Sequence, residues 1–157
     1  MKRILFLAFL LLISFPVWSQ TQFGLKGGLN FTFFNENQSQ FGEQAQVDVG
    51  YFGGVYLNVP ISEKVHFQPE ALYNRIGEFN LINAPLYVEY QIDSNLSLLL
   101  GPSLNYFFDI FTNNFKVRGD VSAAYAITEG FELNLKYTQG FDELSPNIIL
   151  LGVGFPL

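Results

Sequence analysis

The 157 residues contain no cysteine, so neither a disulfide framework nor a thiolate metal site can form. Histidine is almost as scarce. His66 stands alone, and no set of residues shows the spacing of metal ligands. Basic residues are few, eight against fourteen acidic ones, for a formal charge of −6. That balance repels a phosphate backbone, so no nucleic-acid partner is expected. Beyond the N-terminal segment no apolar run approaches the roughly 20 residues that a spanning helix needs. A nucleotide loop and a phosphate cradle are also missing, so no cofactor, no metal and no catalytic set are expected.

What the chain has is hydrocarbon: 49% of its residues are hydrophobic and only 14% charged. The first stretch is distinct. Lys2 and Arg3 precede an apolar run from Ile4 to Phe15, and Val17-Trp18-Ser19 follows as a cleavage site. This is the pattern of a secretory signal peptide over residues 1–19, leaving one domain over 20–157. The run from Ile4 to Trp18 is broken by Ser14 and Pro16 and is short for a membrane anchor. No cysteine follows it to carry a lipid. Without Lys2 and Arg3, six basic residues face fourteen acidic ones and the formal charge is −8. An export signal, an apolar composition and no spanning helix together leave a closed barrel, because only helices and closed sheets satisfy every backbone group in lipid.

The local pattern agrees. From Phe23 to Phe33 the odd positions are apolar or glycine (Phe23, Leu25, Gly27, Leu29, Phe31, Phe33), while Lys26, Asn30 and Thr32 fall on even ones. Period two means a strand with one greasy and one wet face. About eight such runs follow one another along the chain. Val49, Tyr51, Val55 and Leu57 oppose Asp48, Phe52, Tyr56 and Asn58; Phe67, Ala71 and Tyr73 oppose His66, Gln68, Glu70 and Asn74. Leu86, Val88 and Tyr90 oppose Tyr87 and Glu89, and Leu98, Leu100 and Leu104 oppose Ser97, Ser103 and Asn105. Val117, Val121 and Tyr125 then oppose Lys116, Arg118 and Asp120, and Leu133, Leu135 and Tyr137 oppose Glu132, Asn134 and Lys136. Ile149, Leu151, Val153 and Phe155 close the chain.

Aromatics collect at both ends of the greasy face. Phe23, Phe67, Tyr90, Tyr125, Phe131 and Phe155 mark one rim, and Phe33, Tyr51, Tyr73, Tyr106, Phe115 and Tyr137 the other. Two aromatic belts around an apolar band are the signature of a barrel standing in a membrane. Short connections at Ser62-Glu63-Lys64, Asp93-Ser94-Asn95 and Thr128-Glu129-Gly130 alternate with generally longer ones. That asymmetry places tight turns and both termini in the periplasm, with loops outside. Pro69, Pro85 and Pro102 fall inside expected strands, where each removes a ladder hydrogen bond, so a local bulge is expected at each.

Several short stretches, in order along the chain, resemble motifs of the PorT-like outer-membrane β-barrel proteins of Bacteroidota. They are Gly24-Leu25-Lys26-Gly27-Gly28-Leu29-Asn30, Phe67-Gln68-Pro69-Glu70-Ala71-Leu72-Tyr73 with Gly77, and Ala84-Pro85-Leu86 through Tyr90. Gly101-Pro102-Ser103-Leu104 and Leu133-Asn134-Leu135-Lys136-Tyr137 with Gly140 complete the set. The resemblance implies an eight-stranded outer-membrane barrel and makes the in-strand prolines a family trait. It implies no activity, although the namesake is linked to protein secretion and gliding. The chain departs from the family at its end, Phe155-Pro156-Leu157, where a terminal aromatic is usual, and in a short second loop.

The resulting expectation is an all-β, eight-stranded antiparallel up-and-down transmembrane barrel in the outer membrane of a Gram-negative bacterium. Such a barrel has room only for its own side chains. Inward cations Lys26, Lys116, Arg118 and Lys136 can be matched against Asp48, Glu70, Glu89, Asp120 and Glu132, giving a structural ionic network in the lumen. The same network could serve as a narrow channel. His66 must be weighed as the base of a lipid-modifying barrel enzyme; Ser62, Ser97 and Thr128 lie near the same rim, but this is the periplasmic end. A polar lumen residue is the plainer role. A soluble lipocalin-type barrel would require the greasy face to turn inward. Of the glycines, most are expected to relieve crowding or allow curvature. The expected state is a non-enzymatic monomer in outer-membrane lipid, with an envelope protein as partner through loops whose apolar tips are Phe41, Phe111 and Phe141.

Overall fold

The computed structural model describes residues 21–33, 47–108, 114–140 and 147–157. The expected signal peptide and the tips Phe41, Phe111 and Phe141 lie outside the described residues. Eight strands follow in chain order: β1 (Gln22–Phe33), β2 (Val47–Pro60), β3 (Val65–Ile76), β4 (Phe79–Gln91), β5 (Leu96–Phe107), β6 (Phe115–Thr128), β7 (Phe131–Gln139) and β8 (Asn147–Pro156). Each pairs antiparallel with its sequence neighbours. β1 also pairs with β8, from Gly24↔Pro156 to Phe33↔Asn147, and so closes the barrel.

Closure removes both sheet edges, and the period-two pattern decides which side chains end up where. Leu135 is half exposed at 52% while Lys136 beside it is 3% exposed; Leu100 and Leu99 differ as 64% and 1%. Every strand repeats this alternation. The greasy face therefore points out of the barrel and the ionic residues point in, which rules out the inverted lipocalin-type arrangement.

Both ends of the barrel are set by short-range chemistry. At one end, called here the turn end, lie residues 61–64, 92–95 and 129–130 and the outer ends of β1 and β8. Asp93 shapes the β4–β5 turn by accepting the backbone N–H groups of Asn95 and Leu96, each at 2.8 Å. Those two donors hold its carboxyl below the usual aspartate value of 3.8. At the opposite, loop end, Ile76 pairs with Phe79 around a two-residue turn. Gly77 sits there at φ 57°, the left-handed first position that a tight II′ hairpin demands and that glycine fills without strain.

The expected bulges at Pro69, Pro85 and Pro102 are absent. β2 and β3 pair at Tyr56↔Glu70, miss the rungs beside Pro69, and resume in the same register at Val59↔Phe67. β3 and β4 do the same beside Pro85, between Pro69↔Leu86 and Leu72↔Asn83, and β4 and β5 beside Pro102, between Pro85↔Ser103 and Val88↔Leu100. The physical reason is that a proline deletes one donor without adding a residue. Each proline loses its bond to the preceding strand only. Its rung to the following strand, Pro69↔Leu86, Pro85↔Ser103 or Pro102↔Gly119, remains and keeps the strands aligned. A register shift occurs instead between Ala126 and Thr128, where β6 runs into its turn.

The lumen is not wholly polar. Phe52, Leu72, Ile76, Leu81, Phe107, Ile148 and Leu150 form a buried apolar cluster toward the loop end. Gly152 makes room for it, since a Cβ there would come within 2.6 Å of Phe52 Cζ. This is the relief of crowding anticipated for inward glycines.

Candidate functional site

The polar interior is built by alternate residues of neighbouring strands, which register brings to the same height. Lys26 on β1 reaches Glu70 on β3 at 2.6 Å and Glu132 on β7 at 3.6 Å. Lys136 on β7 lies 3.0 Å from Asp120 on β6 and 4.0 Å from Glu70, so Glu70 links the two lysines. Asp120 accepts from Ser103 Oγ at 2.8 Å and from Asn83 and Tyr87 at 3.4 Å each. Lys136 also donates to Asn83 Oδ1. All of these side chains but Glu132 are nearly sealed from solvent, where an unpaired charge would be costly. Among the residues expected in the network, the structure thus brings Lys26, Glu70, Asp120, Glu132 and Lys136 together. Arg118 is buried beside them, paired across the sheet with Ser103. Asp48 and Lys116 lie half-buried near the loop end, away from this group.

Glu89 joins through amides. Gln68 donates to Glu70 at 2.8 Å and accepts from Asn58 at 3.1 Å, and Asn58 also donates to the Glu89 carboxylate. His66 Nδ1 lies 2.6 Å from Asn58 Oδ1 and 3.9 Å from Glu89 Oε2. This chain ends in a cavity of about 170 Å³ that opens at the turn end and is lined by His66, Asn58, Gln68, Glu89, Glu132 and Tyr56 among others. Lys26 sits over the Tyr56 ring, 4.6 Å from its centroid, a cation–π contact.

The amides were the part of the network that charge matching alone missed. Asn58, Gln68 and Asn83 carry the links between carboxylates, and the only sequence signal for them was their parity with Glu70 and Glu89. The same parity would have found the apolar cluster: Leu72 and Ile76 alternate in step with Gln68, Glu70 and Asn74. Among the described residues no group of histidine, aspartate and glutamate is placed to hold a metal ion.

No protein-family model and no curated protein matches the chain. Solved structures match it in shape. A structure from the de novo design of transmembrane beta-barrels superposes with a TM-score of 0.58 at 15% identity, over 87% of this chain and 95% of its own. Ail, the attachment invasion locus protein of Yersinia pestis, gives 0.56 at 13% identity over 87% and 98% of the two chains. Neisserial surface protein A gives 0.54 at 16% identity over 86% and 96%. At such identities the likeness is one of fold, and the fold is the closed eight-stranded barrel that outer-membrane proteins use.

Proposed function

We propose that this chain is an integral outer-membrane barrel of the PorT-like kind, a monomer with a filled lumen and a non-enzymatic structural or interaction role linked to secretion or envelope assembly. The observation that carries the membrane reading is the outward face. Leu29, Val49, Val88, Leu100, Val121, Leu135 and Leu151, each about half exposed or more, form an apolar band around the barrel. Aromatic residues stand beyond it at both ends, where an amphipathic ring meets headgroups. A soluble monomer does not expose an apolar surface of that extent. The non-enzymatic reading is supported by the hydroxyls near His66: among the described residues none of Ser62, Ser97 and Thr128 is hydrogen-bonded to the imidazole, whose bond is to the Asn58 amide. The apolar cluster beneath the loop end and the paired charges below it support a filled lumen over a channel. In this reading the turn end faces the periplasm, and loops reach the envelope partner from outside.

A spin label at Leu135 tests the membrane reading: it is expected to be reached by oxygen dissolved in lipid, whereas a label at Lys136 is shielded. A water-exposed Leu135 label would overturn it. Since the chain has no native cysteine, single-cysteine variants decide orientation cleanly. An impermeant maleimide on intact cells is expected to label Glu78→Cys and spare Ser94→Cys; the reverse pattern inverts the topology.

A further inference from the structure

Asn58 fixes the chemistry of its neighbour. Its side-chain nitrogen donates to Gln68 Oε1 and to the Glu89 carboxylate, which leaves its Oδ1 as the acceptor facing His66 Nδ1 at 2.6 Å. A neutral imidazole in that position carries its proton on Nδ1, so Nε2 is a lone-pair acceptor. His66, Glu89 and Glu132 come from three different strands and line one cavity. Lys26 is committed to Glu70 at 2.6 Å and stands at 3.6 Å from Glu132 Oε1. That oxygen is screened from solvent beside Lys26, so the 18% of the Glu132 side chain that stays exposed belongs to its other atoms.

We propose that the turn-end cavity binds a small organic ammonium ion, whose N–H donors meet Glu89, Glu132 and His66 Nε2. An ammonium group has three donors and no acceptor, which matches a site offering two carboxylates and an imidazole lone pair. Its charge offsets carboxylates that Lys26 and the amides satisfy only in part. The face of Tyr56 on the cavity wall is already used by one ammonium group, that of Lys26, and shows that the wall tolerates a cation. The same carboxylates repel an anion. The inference stands on the cavity and its hydrogen bonds, and not on which compartment the turn end faces or on the membrane reading.

A single histidine gives a single imidazole, so its ¹⁵N resonances in detergent-solubilised protein report the site directly. In the neutral imidazole the Nδ1-protonated tautomer is expected. Methylammonium chloride should then shift the Nε2 signal with saturation, while sodium chloride and neutral acetamide at equal concentration should not. Glu132→Gln is expected to raise the half-saturating concentration by about tenfold or more, and Ala126→Leu, which fills the cavity from its wall, to abolish saturation. Glu63→Gln on a neighbouring turn keeps the wild-type titration. An Nε2-protonated imidazole, a non-saturating response, an equal response to sodium or acetamide, or unchanged titration in both cavity variants would overturn the proposal. Heat-dependent gel mobility verifies that each variant is folded, and Ala126→Leu carries the test if Glu132→Gln does not fold.

Discussion

Lys136 illustrates what a single buried charge does in this barrel. It stands between Asp120 at 3.0 Å and Glu70 at 4.0 Å and is 3% exposed, so neither water nor salt compensates for its removal. Lys136→Met leaves two carboxylates with weakened partners and is expected to destabilise the barrel by about 3–5 kcal/mol, measured by urea unfolding in lipid vesicles. Adding Asp120→Asn should recover part of that loss, since asparagine can still accept from Ser103. Asp93 behaves differently because it is exposed on a turn. Two backbone donors lower its folded carboxyl value relative to 3.8, so the stability it adds is present above the unfolded value and lost as pH falls through the folded one. Asp93→Asn keeps the acceptor and removes the charge. Wild type is expected to outlast this variant in unfolding-rate measurements at neutral pH, and the difference should close as the solution is made more acidic than Asp93's own titration.

At the scale of the strand, the three prolines show how a closed sheet absorbs a missing donor. A one-residue slip would turn a whole strand's hydrocarbon inward and its ions outward, which costs far more than one hydrogen bond. Register therefore holds, and the ladder is simply interrupted beside Pro69, Pro85 and Pro102. Pro102→Ala supplies an N–H facing the Leu86 carbonyl across the β4–β5 gap. That new amide is expected to exchange slowly with solvent deuterium, with the rungs Pro85↔Ser103 and Val88↔Leu100 unchanged; fast exchange would mean that the strands are held apart there by something other than the proline ring. Legibility differed along each strand. Alternation in Leu133 to Tyr137 is legible because the two faces carry chemically distinct side chains. The inward Leu99, Leu150 and Ile148 are not legible in the same way, because hydrocarbon stands on both faces of β5 and β8, so composition carries no contrast and only parity does.

For the molecule as a whole, the balance is between an apolar exterior and an interior that mixes ion pairs with a hydrocarbon cluster. Leu100, 64% exposed near mid-strand, probes the exterior. Leu100→Arg is expected to cost about 2–4 kcal/mol in lipid vesicles if it lies near the bilayer midplane, again by denaturant titration, whereas a water-facing position would tolerate it nearly without loss. The period of two, the absence of cysteine and of a long apolar run beyond the N-terminal segment, and the aromatic rims were determined by the sequence by itself. They depend on each residue's own chemistry and its neighbours two positions away, and they lead to a closed barrel with its ions inside. Only the tertiary structure decided which inward groups meet. Glu70 joins Lys26 to Lys136, Asn58 orients His66, and Phe52 packs over Gly152 toward the loop end, because those contacts arise where registers of separate strands bring distant residues to one height, a quantity that no local pattern contains.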